Sequence, residues 1–168
     1  MRISDDTLRE GLQAPGIAFT RSEKLKLASL VSAAGIKRAL VSYPSAHVSE
    51  VEVTKEIVRA NYFNEVFGLG RTLKEDVDTI YSTGANIALH LPFIIERLGE
   101  IEEVIRYASN SDRIVEVALV DVVQYSTEDL VSFINLGEAV PIVSGIWMTL
   151  APDSTIFFMI LTRSSVEY

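Results

Sequence analysis

Cysteine is absent from the 168 residues, which excludes disulfides and thiolate metal sites and leaves no mark of redox compartment. Histidine is scarce: the only two are His47 and His90, 43 positions apart. No apolar run opens the chain at Met1-Arg2-Ile3-Ser4-Asp5, so no signal peptide is expected and the cytoplasm is the default location. Basic residues are the minority, 15 against 23 acidic, for a net charge of −8 that argues against nucleic acid as a general partner. The imbalance is uneven: residues 1–60 carry +2 and residues 61–168 carry −10. An anionic ligand would meet less repulsion in the first third, although ordinary acidic helix faces account for the same asymmetry. Charge almost vanishes over residues 139–162, where Asp153 stands alone. Pro141 and Pro152 interrupt that apolar stretch, so a membrane span is not expected.

What is present is a globular composition, 48% hydrophobic and 23% charged, in a length that suits one domain with a real core. Short apolar runs alternate with helical patterns. Thr20 and Glu23 form a capping box, and Leu27, Leu30, Val31 and Ala34 follow at the spacing of one helix face, ended by Gly35 as a left-handed cap. Arg38 to Tyr43 reads as a buried strand stopped by Pro44, and Ser49 with Glu52 as a second capping box that opens a helix to about Ala60. His47, between them, reads as loop.

The rhythm continues. Glu65 to Leu69 is a third strand, Thr72 and Glu75 a third box, and Val77, Ile80, Tyr81 and Gly84 its helix. Asn86 to Leu91 is a fourth strand closed by Pro92, followed by a helix marked by Ile101, Val104, Ile105 and Ala108. Arg113 to Val120 is a fifth strand, and Ser126 with Asp129 starts a fifth helix whose buried face is Leu130, Phe133 and Ile134. Val143 to Leu150 is a candidate sixth strand, and Thr155 to Leu161 a candidate helix or further strand. Five strand–helix units at roughly 25-residue spacing imply right-handed βαβ units and a parallel sheet, either doubly wound or a (β/α)8 barrel. Polar residues recur at strand C-terminal ends (Arg9 and Glu10, Ser42, Arg71, His90, Asp121), which suits the rim of a barrel or the crevice of an open sheet.

Chemistry concentrates in Asp5-Asp6-Thr7-Leu8-Arg9-Glu10-Gly11-Leu12-Gln13. A carboxylate there can hold a hard divalent cation through oxygen. The adjacent arginine can fork onto a carboxylate or enolate oxygen, and Gly11 would let the backbone turn sharply. By composition alone the same stretch also reads as a solvated turn with an Arg–Glu pair.

This stretch resembles the D-T-T-L-R-[DE]-G-x-Q signature of the metal-dependent acyltransferase and lyase barrels, which include isopropylmalate, homocitrate and citramalate synthases and hydroxymethylglutaryl-CoA lyase. The likeness continues through Ala14-Pro15-Gly16, Phe19-Thr20, Glu23-Lys24, Gly35-Ile36 and Tyr43-Pro44, then more weakly at Gly70-Arg71, Asp76 and Val115 to Tyr125. It covers about four-fifths of the chain and decides between the two sheet topologies. It implies an α/β fold, a partial (β/α)8 TIM barrel of about five to six βα units with the last two strands absent. Residues 1–135 would hold units 1–5, and residues 136–168 a diverged sixth unit and tail.

The resemblance implies a Claisen-type condensation of acetyl-CoA with a 2-oxo acid, or the reverse cleavage of an acyl-CoA. Arg9 would be catalytic, and Glu10 would hold Mg²⁺, Mn²⁺ or Zn²⁺. Gln13, Arg71 and His90 would contact substrate or orient the site. Departures from the pattern bear on this. The family's H-x-H-N-D motif, source of two histidine metal ligands, has no counterpart, and Trp147 to Thr155 matches its D-T-x-G motif only in part. Glu10 stands where much of the family has Asp, although homocitrate synthases use Glu there, and Leu40 where a strand glutamate is common. A second function class follows: a diverged relic that binds a ligand or partner without turnover. A full barrel needs about 250 residues. A second copy, or a partner chain supplying the missing units, is therefore expected.

Overall fold

Strands and helices alternate from the first described residue. The structure is a computed structural model that describes residues 3–91, 97–119, 125–129, 131 and 143–148. The strands are β1 (Ser4–Asp5), β2 (Arg38–Ser42), β3 (Glu65–Arg71), β4 (Asn86–Leu91), β5 (Val115–Leu119) and β6 (Val143–Met148). Between them run helices α1 (Thr7–Glu10), α2 (Arg21–Ala33), α3 (Val48–Ala60), α4 (Lys74–Tyr81) and α5 (Leu98–Ser109). Strand order follows chain order, β1-β2-β3-β4-β5-β6. A doubly wound sheet reverses its order at a switch point, so the uninterrupted order is that of a partial (β/α)8 barrel. The chain forms two compact units, Met1–Gly70 with Glu75–Ala88 and Arg71–Lys74 with Leu89–Tyr168.

In the first unit β1 pairs parallel to β2, Ser4 with Arg38 and Asp5 with Ala39. The β2–β3 ladder is also parallel and carries an irregularity between Leu40 and Ser42. Ala39, Val41, Phe67, Leu69, Ile57, Ile80 and Ile87 fill its core. Each large aliphatic side chain removed from water there contributes about 1.5–3 kcal/mol. The α2 capping box is complete: Thr20 Oγ1 accepts from Glu23 N, and the Glu23 carboxylate accepts from Thr20 N at 2.8 Å. Gly35 takes φ +94° after the helix, the left-handed cap that the sequence calls for.

Two expectations for this unit need correction, and one for Thr72 of the second unit. The buried face of α2 is Lys24 and Ala28, while Leu30 is 58% exposed. The helix packs by its small alanine and the lysine stem, whose ammonium reaches Glu50 on α3 at 2.6 Å. The cap of α3 is His47, not Ser49: the helix begins at Val48, and His47 Nδ1 accepts from Ser49 N at 3.2 Å. Thr72, expected to cap α4, lies two residues before it, and its hydroxyl donates to the His90 carbonyl at 3.0 Å.

In the second unit Ile101, Val104, Ile105 and Ala108 form the buried face of α5, the spacing read from the sequence. All five residues of β5 are buried, as a parallel strand covered on both faces requires. β5 pairs parallel to β6 from Val115 with Val143 to Leu119 with Met148, with one shift between Val115 and Glu116. Ser126 and Asp129 bond reciprocally, Ser126 N and Oγ to Asp129 Oδ2 and Asp129 N to Ser126 Oγ, ahead of residues 127–129 and 131, which are helical. Pro92, Val120, Asp121, Leu130, Phe133, Ile134 and the segment from Thr149 through Leu161 lie outside the described residues. Among the described residues no helix is long and apolar enough to cross a membrane.

Candidate functional site

The motif forms a helical turn at the C-terminal end of β1. Asp5 starts it: its carboxylate accepts from Thr7 N and from Thr7 Oγ1, both at 3.0 Å. The Asp6 carbonyl then accepts from Arg9 N at 3.1 Å and Glu10 N at 2.8 Å, closing α1. Leu8 is fully buried, and α1 packs against β2, so the apolar side chain fixes which way its neighbours point. A 3-10 turn at Gly11–Gln13 follows. Gly11 has φ −58° and ψ −26°, ordinary helical backbone, so the sharp turn expected there does not occur. The positive φ falls at Gly16, +79°, the third residue of a turn in which Ala14 O accepts from Ile17 N.

This turn brings Asp6, Arg9 and Glu10 together. The Arg9 side chain is only 12% exposed and forms an ion pair with Glu10, which is 48% exposed. Burial pushes the Asp6 carboxyl up to about 7; Arg9 opposes the shift and Asp5 adds to it. Asp6 Oδ1 is buried without a hydrogen-bond partner among the described residues. Burial also lowers the guanidinium of Arg9 from its usual range, against the support of Asp6 and Tyr43. A partly desolvated guanidinium beside a carboxyl of raised proton affinity has the chemistry to take up a small anion, since its forked donors lack full hydration.

The other candidates, Gln13, Arg71 and His90, are each described with their own element. Gln13 closes the 3-10 turn, is exposed, and makes no hydrogen bond to Arg9 or Glu10 among the described residues. Arg71, exposed at the end of β3, and His90, half-buried near the end of β4, belong to the second unit and are described with it.

Among the described residues the donor set at this turn is too small for a resident metal ion. Hard cations take six or more oxygens, and catalytic zinc takes three protein ligands. The described residues contain no group of three or more His, Cys, Asp or Glu arranged to hold a metal. Glu10 offers one carboxylate, already engaged by Arg9, and Leu40 on β2 supplies no oxygen.

Sequence reasoning singled out Arg9 and Glu10 but gave Asp6 no role. The signal was available: Asp6 stands where the D-T-T-L-R pattern has a threonine, placing an acid one turn from the arginine.

Comparison with known proteins places these residues in a broader setting. A family model described as HMGL-like matches residues 1–144. The chain is 32% identical over 149 residues to a 2-isopropylmalate synthase of Sulfolobus acidocaldarius, a match that covers 80% of this chain and 39% of that protein. It is 32% identical over 123 residues to the homocitrate synthase AksA of Methanosarcina acetivorans, covering 66% of this chain and 30% of the relative. A homocitrate synthase of a Frankia strain is 36% identical over 98 residues, 58% and 24% of the two chains. The chain thus spans well under half the length of these relatives.

Proposed function

This chain belongs to the HMGL-like family, and on that premise we propose that it carries the first-strand anion site of a condensing enzyme or lyase acting on a 2-oxo acid or an acyl-CoA. Acetyl-CoA is the co-substrate proposed for the condensing direction. The observation that carries this reading is the Arg9 guanidinium, 12% exposed beside the buried Asp6 carboxyl and directly after β1. In a barrel enzyme the ends of strands are where substrates meet catalytic groups.

In a Claisen-type step the carbon of an enolate attacks the 2-oxo carbon, a C–C bond forms, and the carbonyl electron pair becomes an alkoxide. Arg9 is the group of this chain suited to that change. Its two-pronged donors bind the substrate anion and strengthen as charge grows on the carbonyl oxygen, the differential contact that accelerates the step. To do so it must turn from Glu10, so the pair is an exchangeable one. A divalent cation, Mg²⁺, Mn²⁺ or Zn²⁺, would find fewer donors arranged for it among the described residues than it takes, and no step is derived through it. Gln13, Arg71 and His90 receive no role in the step.

The test is calorimetric titration of the chain with pyruvate, 2-oxoglutarate, a branched 2-oxo acid and acetyl-CoA. Binding of one 2-oxo acid that Arg9→Lys weakens by about tenfold or more is the expected result, because an ammonium cannot reproduce the fork. Failure of every 2-oxo acid and of acetyl-CoA to bind, or equal affinity in the variant, overturns the reading. A second reading is ligand binding without turnover, favoured by the engagement of Glu10 with Arg9. Release of free coenzyme A from acetyl-CoA and a bound 2-oxo acid separates the two.

A further inference from the structure

The loop from β2 to α3 holds a histidine where a helix usually has Ser, Thr, Asp or Asn. His47 has extended backbone, φ −163° and ψ 152°, and its ring caps the N-terminus of α3. The Ser49 amide donates to Nδ1 at 3.2 Å, and the Ser49 hydroxyl lies 2.8 Å from the same nitrogen. The amide bond requires an Nδ1 that carries no proton, so the neutral ring holds its proton on Nε2. The side chain is exposed, and protons reach it from solvent. The turn it caps also fastens α3 to its neighbours. His47 O accepts from Glu50 N at 3.0 Å, the Glu50 carboxylate accepts from Lys24 of α2 at 2.6 Å, and Thr54, one turn on, bonds Ser42 at the end of β2.

We propose that His47 makes the start of α3 acid-sensitive: the helix is capped while the ring is neutral and loses its cap when the ring takes up a proton. A protonated Nδ1 is a donor and no longer accepts from Ser49 N, which leaves that amide to water. The Ser49 hydroxyl can turn to accept from the charged ring, but the amide cannot. The new positive charge also stands at the positive end of the helix dipole, where a cation is disfavoured. Histidine is the side chain whose charge changes between about pH 5 and 8, so the cap holds at the top of that range and fails toward the bottom. The elements packed on α3 bear on this as follows. The 3-10 turn Pro44–Ala46 carries no titratable group, and Tyr43 before it donates to Asp76 at 3.3 Å. The end of β2 presents Ser42. From α2 come Lys24, held by Glu50, and Arg21, held by Glu56 further along α3. Glu50, the acid of the first turn of α3, is the group that would favour a charged ring, and Lys24 offsets it.

The deciding experiment is an NMR titration of the full chain from about pH 8 to about pH 5.5, wild type against His47→Asn, with thermal midpoints at both ends of the range. Asparagine accepts from the same amide and does not titrate. In the wild type the Ser49 amide proton should move upfield as the pH falls, and the Cα shifts of Val48 to Val51 should lose part of their helical offset. In His47→Asn both should stay in place. Between the two pH values the midpoint difference should shift in favour of the variant by about 2–4 °C, the effect of one lost cap. Other groups titrate in both chains and cancel in that difference. A Ser49 amide that stays in place in the wild type, or a midpoint difference that is the same at both pH values, overturns the proposal. So does a variant that fails to fold, since an acceptor at position 47 would then not be what α3 needs.

Discussion

Asp6 sits in surroundings that a carboxylate does not prefer. Its side chain is half-buried, one carboxyl oxygen is buried and unpartnered among the described residues, and burial outweighs the nearby Arg9 in setting its proton affinity near 7 instead of 3.8. The folded chain therefore keeps a proton on Asp6 that the unfolded chain releases above about pH 4. The stability this contributes is full below that pH and is lost as pH rises through about 7. Asp6→Asn, a neutral side chain of the same shape, should match the wild type in melting midpoint at pH 5. At pH 8 it should be the more stable by about 1–2 kcal/mol, discounted because the group is partly solvated. Melts at the two pH values that show the same difference would remove Asp6 as the cause. Of this cluster, sequence shows the adjacent Arg9 and Glu10 directly. Tyr43 and Asp76 stand within its likeness to a family, but their partnership bridges 33 residues and has no spacing rule to reveal it.

Elements were legible where a single chemical rule governs them. The α5 face reads correctly because Ile101, Val104, Ile105 and Ala108 are the apolar residues of their helix at one spacing. On α2 the apolar residues are more spread, and the helix buries Lys24 and Ala28 because a lysine stem and a small side chain fit close to α3. The α3 cap was missed because an imidazole acceptor lies outside the usual Ser, Thr, Asp and Asn set. β3 shows a different dependence. Gly70 lies under α4, and an added Cβ would press on Asp76 Cβ, which is fixed to the helix backbone, as well as on the more yielding end of Ile80. Gly70→Ala should cost about 1–3 kcal/mol through overpacking. Urea titration should show a lower midpoint and an unchanged slope; an unchanged midpoint would mean that α4 shifts freely.

For the whole chain, the sequential strand order leaves β1 and β6 at the two ends of the described sheet. β1 is only two residues long, and an unpaired strand edge is a template for association. The sequence from Thr155 to Leu161 is apolar and free of charge, a composition that favours association. The 168-residue chain is expected to elute as a dimer or larger species in size-exclusion chromatography with light scattering at tens of micromolar. A monomer of 18.6 kDa with a cooperative melt would show that both edges are covered within one copy. The order of strands has another consequence, for the time course of folding. Each described strand pairs with the described strand just before it in sequence, so among these strands none waits for a distant one. Loop closure between neighbours is short, and short closures are fast. A chain of this kind can gather its sheet strand by strand as it leaves the ribosome, with each new unit docking on an edge already formed.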